Sequence, residues 1–300
     1  MKHSTIITIL LIGLFLAAQI VGLFVLKSYI DVPKTAETGN LTWEALPNIA
    51  GISFERPQIR ESISFAYIIA AVIIGTLLVL LLIRFKTMML WKIWYLLAVG
   101  ISLTLSFGAF MSSTAASIVG FFVAIAKTFR NNIILHNLSE LFIYAGLAVI
   151  FVPVLNITAM FILLLLISLY DMYAVWQSGH MIKMAKAQAK SGIFAGLLLP
   201  YRMPKSARGT TGASKSKMKK VKVRTAILGG GDIGFPLLFA GVILKTFGFW
   251  QAMLVVPFTA LALFMLLVLG KKEKFYPAMP FISLGCLAGY LAVLGVGLLL

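Results

Sequence analysis

Runs of apolar residues, each long enough to cross a lipid bilayer as a helix, recur from one end of this chain to the other. A helix needs roughly 20 such residues to span the hydrocarbon core. Two apolar stretches approach twice that length, so boundaries at residues 111–113 and 153–156 divide each of them into two spans. The predicted spans are 5–26, 63–83, 89–110, 112–127, 138–153, 155–177, 225–245, 249–269 and 279–299. The pattern predicts an all-α fold, a polytopic membrane helix bundle of about nine transmembrane helices.

The composition supports the same fold class. Hydrophobic residues make up 61% of the chain and charged residues 12%, whereas a soluble domain is roughly half apolar and a quarter charged. We therefore predict one membrane domain over residues 1–300, with the first six helices in 1–177, a basic loop at 178–224 and the last three helices in 225–300. The single cysteine, Cys286, excludes an internal disulfide.

The net charge of +17 comes from basic residues that lie between the apolar runs. Basic connections mark the cytoplasmic side of a membrane protein, and here every second connection is basic. The basic set is Lys2, then Arg84, Lys86 and Lys92, then Lys127 and Arg130, then the 178–224 loop, then Lys271, Lys272 and Lys274. This alternation predicts a cytoplasmic amino terminus and 178–224 loop, with the carboxyl terminus on the opposite side of the cell membrane.

The 178–224 loop contains no Asp or Glu and is rich in Lys, Arg, Gly and Ser. That composition is typical of a flexible linker close to anionic lipid. Too few aromatic residues lie between the charges for a base-stacking surface. We therefore expect the lipid bilayer, and no nucleic acid, as the partner of this loop.

Two of the nine acidic residues, Asp171 and Asp232, fall well inside apolar runs. The others are expected in loops or at the ends of spans, with Glu140 at the edge of one. An ionisable side chain in hydrocarbon costs about 2.5–3.5 kcal/mol, which makes a functional role the default hypothesis. Asp171 precedes the cytoplasmic end of one span and Asp232 follows the start of the next, so both lie roughly 8–12 Å below the same surface.

Two carboxyl groups that meet at one depth in a medium of low dielectric constant cannot both ionise easily, so they share a proton. The ionised member can then activate a water molecule while the protonated member donates to a peptide carbonyl, as in an aspartic protease. The same two acids are also compatible with a proton or cation relay, or with structural polar contacts between helices.

A glycine-rich segment, 229–234, surrounds Asp232 and satisfies the G-x-G-x-x-G pattern of dinucleotide-binding turns. The alternation from Val221 to Arg224 before it also resembles a strand. A dinucleotide site is not expected, because no acidic residue follows until Glu273 and no second βαβ unit is present in the sequence. Glycines beside Asp232 instead allow close approach of water or substrate, or a small-residue contact between helices.

Three short motifs, one in each of three apolar runs, resemble those of a known family. They are Tyr170-Asp171, Gly229-Gly230-Gly231-Asp232 and Pro277-Ala278-Met279-Pro280. In order, spacing and number of spans the chain looks like the presenilin and signal peptide peptidase family of intramembrane aspartyl proteases, and its size and composition are similar to archaeal members. The family pattern usually has leucine where this chain has Met279, a change that conserves volume.

The resemblance implies that Asp171 and Asp232 are catalytic, and that the surrounding motif residues support the active site or bind substrate. The supporting residues are Tyr170, Gly229, Gly231, Pro277, Ala278, Met279 and Pro280. It also implies transmembrane peptide substrates. The orientation predicted from the charges is the presenilin-like one, and signal peptide peptidases resemble the inverse. The two prolines either interrupt the helix beside substrate or simply begin it, and residues 220–224 either pair with substrate as a strand or form a basic helix flank.

Other protease classes do not fit the sequence. No G-x-S-G lies within an apolar run, and His3, His136 and His180 lack the H-E-x-x-H spacing of zinc proteases. We therefore expect no metal and no cofactor. A proton- or cation-coupled transporter or channel that uses the same two carboxylates remains the alternative function, and the sequence does not predict an oligomeric state.

Overall fold

Backbone groups inside a bilayer must pair within their own segment, so the apolar runs fold as helices. The computed structural model describes residues 5–48, 52–85, 88–130, 132–178, 184, 194–202, 223–270 and 276–299. Its α-helices are α1 (Thr5–Ser28), α2 (Val32–Thr38), α3 (Ser64–Arg84), α4 (Met88–Phe107), α5 (Ser113–Phe129), α6 (Ile133–Phe151), α7 (Ile157–Met172), α8 (Gly230–Phe247), α9 (Phe249–Leu269) and α10 (Met279–Leu299).

Each of the nine predicted spans corresponds to a helix in the described part of the chain. Eight of these helices are long and apolar enough to cross a membrane, and α5 is a shorter apolar helix. Both predicted divisions of long apolar stretches are confirmed. Between α6 and α7 the chain passes through a 3-10 turn, Val152–Val154, before Asn156 caps α7 by accepting from the amide of Ala159 at 2.8 Å.

One prediction is wrong in detail, because the span predicted at 225–245 begins as a strand. Strand β1 (Gly196–Arg202) and strand β2 (Val223–Gly229) form an antiparallel pair, with Gly196 opposite Gly229 and Arg202 opposite Val223. Helix α8 starts only at Gly230. The residues of β2 are compatible with either structure, and pairing with β1 decides between them.

Strand β1 lies inside the segment predicted as a basic loop. Most of that segment, residues 179–183, 185–193 and 203–222, lies outside the described residues. So do several positions used in the sequence argument, which are Lys2, His3, Lys86, His180, Val221, Lys271, Lys272 and Lys274.

Helix α1 lies at the centre of the bundle and packs against α6, α8 and α9. Its inward side chains, including Leu11, Phe15 and Leu23, are at most 1% exposed. Helix α3 is mostly exposed on its membrane-facing surface and contacts mainly α7 and α4. Small residues allow the closest helix contacts, as expected in lipid: a Cβ atom at Gly146 of α6 would overlap the backbone carbonyl of Ser102 in α4.

The segment between α1 and α3 packs over the end of the bundle opposite the sheet. Arg56 donates to the backbone carbonyls of Val149 at 3.2 Å and Glu44 at 2.7 Å. Lys245, near the end of α8, pairs with Glu61 at 2.6 Å and also donates to two carbonyls in the α6–α7 connection. These contacts fix the ends of α6, α7 and α8 relative to one another.

Candidate active site

The three helices that carry the sequence motifs, α7, α8 and α10, all pack against one another. Asp171 lies in the last turn of α7, Asp232 lies in the first turn of α8, and the proline motif precedes and begins α10. Since α7 ends and α8 begins on the same side of the bundle, both aspartates lie at the end where the sheet connects them.

Asp171 is buried, with 4% of its surface exposed, at a change of helix type. Immediately after it, residues Tyr173–Gln177 form one π-helical turn, a feature that is frequent at functional sites. The Asp171 carboxylate accepts a hydrogen bond from the backbone amide of Met279 at 3.1 Å, and the amide of Ala278 also interacts with it.

The proline motif explains why these two amides are available. Helix α10 begins around Met279, where Ala278 accepts the first helical bond from Ile282 at 3.1 Å. The first amides of a helix have no partner inside the helix, and Pro280 has no N–H to satisfy. Asp171 therefore caps the amino terminus of α10 from a different helix, where a negative group is also favoured by the helix dipole.

Asp232 lies on a helix end that is loosened by its own sequence. Proline at 236 has no N–H, so α8 cannot form the usual bond from residue 236 back to the Asp232 carbonyl. The next carbonyl, of Ile233, accepts a hydrogen bond from the buried side chain of Gln19 at 2.9 Å. Helix α1 thus supports the turn of α8 that carries Asp232.

The glycines before Asp232 form the junction between β2 and α8. A Cβ atom at Gly229 would lie 3.2 Å from an Asp232 carboxylate oxygen, and one at Gly230 would lie 2.7 Å from the Tyr144 hydroxyl. A Cβ atom at Gly231 would make only an ordinary contact with Phe235, at 3.4 Å. A side chain at position 229 or 230 would therefore crowd its neighbours, whereas one at position 231 would not.

The local order of strand, glycine turn and helix matches the start of a dinucleotide-binding unit, but the topology does not. Strand β2 pairs with β1 in the antiparallel direction, and the described residues contain no parallel βαβ unit. A parallel crossover is what such a unit requires. The glycine turn therefore serves to connect β2 to α8 and places Asp232 in the first turn of that helix.

Two more contacts join the helices around the aspartates. The Tyr170 hydroxyl donates to Thr76 of α3 at 3.1 Å, and Ser168 shares a hydrogen bond with Ser283 of α10 at 2.9 Å. Helix α7 is thus connected to α3 through Tyr170 and to α10 through both Ser168 and Asp171.

A family model described as signal-peptide peptidase, presenilin aspartyl protease matches residues 41–298. This range covers most of the chain and includes all three motifs. The chain belongs to this family of aspartyl proteases.

Two solved structures, each described as that of a presenilin family intramembrane aspartate protease, are similar to this member of the family. The structure in space group C222 has a TM-score of 0.61 at 17% identity, covering 96% of this chain and 99% of that chain. The structure in space group P2 has a TM-score of 0.57 at 17% identity, covering 95% and 96%. At such identity the likeness shows a shared polytopic helical fold. No curated protein matches the chain.

The predicted family, fold class and activity are confirmed by these comparisons. The protein is an intramembrane aspartyl protease, an aspartic endopeptidase with multiple membrane spans, and its substrates are transmembrane proteins in the lipid bilayer. Nothing in the comparisons supports the transporter or channel alternative.

Besides Asp171, the protease buries a second carboxylate, that of Glu140, which the sequence places at the edge of a span. Glu140 lies inside α6 and is 1% exposed. It pairs with Lys127 of α5 at 2.7 Å, and both side chains are at most 2% exposed. The signal was present in the sequence, since opposite charges at the end of one span and the start of the next lie at one depth.

Among the residues that the structure describes in this protease, no group of three or more His, Cys, Asp or Glu side chains could hold a metal ion. Of the three histidines, only His136 is described, and its ring contacts Lys127 and the backbone carbonyl of Gly196.

Proposed function

We propose that Asp171 and Asp232 are the catalytic pair of this protease. The observation that carries the proposal is the mutual packing of the three motif-bearing helices, which brings two aspartates into a bundle whose interior is mostly apolar. Glu140, the other acid inside a membrane helix in the described part of the chain, is already paired with Lys127 at 2.7 Å. Burying ionisable side chains at this depth is energetically unfavourable, and a catalytic role explains why the chain retains them.

The reaction follows from one proton shared by two carboxyls. The ionised carboxyl takes a proton from water, and the water oxygen forms a bond to the carbonyl carbon of the substrate. The protonated carboxyl gives its proton to the carbonyl oxygen, so the intermediate is a neutral diol. The carboxyl that took the proton from water then gives it to the nitrogen, while the other carboxyl takes a proton from a diol hydroxyl. The C–N bond breaks, an acid and an amine leave, and the pair again holds one proton.

The motif residues around the pair have supporting roles in this proposal. Ala278 and Met279 hold Asp171 through their amides, and the flanking prolines keep those amides at a helix start. Gly229 leaves room for the Asp232 carboxylate, and Tyr170 anchors α7 to α3. The full supporting set is Tyr170, Gly229, Gly231, Pro277, Ala278, Met279 and Pro280.

The sheet provides a way to hold an unwound substrate. Asn137 of α6 occupies the outer edge of β1, since its amide donates to the Leu198 carbonyl at 2.8 Å and accepts from the Leu198 amide at 2.9 Å. In the described part of the chain the sheet has two strands, so β2 has no strand on its other side. We propose that substrate adds there as a strand, because a peptide bond must leave its helix to be cut.

The charge pattern supports an orientation for the whole chain. We propose that it forms one membrane domain with its amino terminus and 178–224 segment in the cytoplasm and its carboxyl terminus on the opposite side of the cell membrane. Both aspartates and the sheet then lie near the cytoplasmic surface. Cysteine accessibility to a membrane-impermeant reagent at the two ends of the chain tests this orientation.

Isosteric substitution of each aspartate tests the catalytic assignment. Asp171→Asn and Asp232→Asn, each alone, are expected to abolish cleavage of a transmembrane peptide in liposomes, because the pair loses its shared proton. The matched control is Asp31→Asn, which changes an acid outside the spans that caps α2 through the Lys34 amide. It is expected to cut at the wild-type rate. Normal cleavage by either single active-site variant contradicts the proposal.

A further inference from the structure

A cluster of polar and charged side chains is buried next to the turn that carries Asp232, and the catalytic proposal gives it no role. At its centre is Glu140 of α6. One carboxylate oxygen accepts from Lys127 at 2.7 Å and from the Tyr95 hydroxyl at 3.5 Å. The other accepts from the Tyr144 hydroxyl and from the backbone amide of Gly196 at 3.1 Å. The Tyr95 hydroxyl also lies 3.3 Å from a second acceptor, the Phe194 carbonyl. Each carboxylate oxygen therefore has at least one close donor.

The bond to Gly196 connects the cluster to the sheet. Gly196 is the first residue of β1, has a φ of 141° and lies opposite Gly229, the last residue of β2. A Cβ atom there would overlap the Leu228 carbonyl, so the backbone approach requires glycine. The preceding carbonyl, of Ala195, accepts from the amide of Gly230 at 3.2 Å. Glu140 thus fixes the strand to which the start of α8 is bonded.

Tyr144 contacts α8 directly. Its hydroxyl lies against Gly230, where an added Cβ atom would approach it to 2.7 Å. Its ring faces Gly234, one turn later, where an added Cβ atom would lie 3.7 Å from the ring. Tyr144 is also within electrostatic range of Asp232. The first turn of α8 is therefore in contact with an aromatic ring whose orientation is set by its bond to Glu140.

We propose that Tyr144, oriented by the Glu140–Lys127 pair, is a positioning residue that sets the height and rotation of Asp232 relative to Asp171. The inference rests on the proposed catalytic pair. A purely apolar contact would allow α8 to slide or rotate, whereas a ring fixed at its hydroxyl gives the turn one position. The Lys127 ammonium neutralises the carboxylate, so that the fixed point lies inside the membrane domain without a net charge.

The test is Tyr144→Phe, with Tyr95→Phe as the matched control. Each removes one hydroxyl within hydrogen-bond distance of Glu140. Tyr144 also contacts α8, whereas the second contact of the Tyr95 hydroxyl is with the Phe194 carbonyl. For Tyr144→Phe we expect kcat to fall about 10- to 100-fold, because misplacement of a reacting group by about 1 Å costs up to about 100-fold. KM for a transmembrane peptide is expected to stay near wild type, and Tyr95→Phe is expected to keep the wild-type kcat. The melting temperature is expected to fall in both variants, because each loses a hydroxyl beside the buried carboxylate.

A hydroxyl-bearing transition-state mimic separates positioning from loss of structure. If Asp232 is misplaced in every molecule of the variant, the Kd of the mimic rises by the same factor as kcat falls. If the variant is merely part unfolded, titration with the mimic finds fewer sites, and each of them binds with wild-type affinity. The second result overturns the inference, as does an equal effect of Tyr95→Phe or an unchanged kcat in Tyr144→Phe.

A variant on the other side of the contact keeps the inference testable if Tyr144→Phe does not fold. Gly230→Ala pushes a methyl group against the Tyr144 hydroxyl and is expected to lower kcat in the same way, whereas Gly234→Ala meets only an ordinary contact and is expected to be neutral. Equal activity of these two alanine variants overturns the inference. Failure of the catalytic proposal itself is distinguishable, because Asp171→Asn or Asp232→Asn then still cuts.

Discussion

Breaking the ion pair between Lys127 and Glu140 should strongly destabilise the protein, because both charges are buried. Both side chains are at most 2% exposed, so removal of either partner leaves the other charge buried without compensation. We expect Glu140→Gln and Lys127→Met each to lower the free energy of unfolding by about 3–5 kcal/mol. Additive effects would put the double variant at about 6–10 kcal/mol.

The double variant should instead cost no more than either single variant, because it leaves no buried charge. The coupling energy of the cycle is then at least about 3 kcal/mol. The measurement is reversible unfolding in detergent micelles, followed by tryptophan fluorescence for the four proteins. The exposed pair of Lys34 and Asp31, 3.2 Å apart with the lysine 71% exposed, is the control, and Lys34→Met is expected to leave the unfolding midpoint unchanged.

Two results would refute this reasoning. One is a single variant that unfolds within about 1 kcal/mol of wild type, which means that water reaches the pair. The other is a double variant whose cost equals the sum of the single costs, which means that the two charges do not interact.

Two further substitutions test the packing of the bundle. Gly146→Ala inserts a methyl group against the Ser102 carbonyl and should destabilise the protein by about 1–3 kcal/mol, whereas Gly13→Ala, which has open space, should leave the melting temperature unchanged or raise it. Comparable melting temperatures in these two variants would exclude a close α4–α6 contact. Lys245→Met removes the bond to Glu61 and two bonds to carbonyls, so it should cost about 1–2 kcal/mol in the same unfolding assay, and an unchanged midpoint would show that water replaces those bonds.

The sequence predicted the positions of the helices well, because the property that places them is local. A helix in lipid satisfies every backbone group within its own segment, so the length and composition of a run such as 249–269 are enough to define α9. The same locality made Asp171 and Asp232 conspicuous, since each is a charged residue in an apolar run. Three motifs at matching positions then indicated the family.

Which distant segments pair with one another was not decided by the sequence, even where one partner carried a signal. Residues 225–228 fit a helix or a strand equally, and only the partner strand at 196–202 makes them part of β2. The edge position expected for Glu140 was wrong for a similar reason, because Lys127 on another helix permits its burial.

The sequence by itself therefore determined which segments enter the membrane and which acids they carry, because lipid imposes the same demand on each segment separately. Tertiary structure alone decided what those acids contact: Asp171 meets the amide of Met279, and Tyr144 lies against the turn that carries Asp232. Such contacts join residues far apart in the chain, and their formation depends on how whole helices pack.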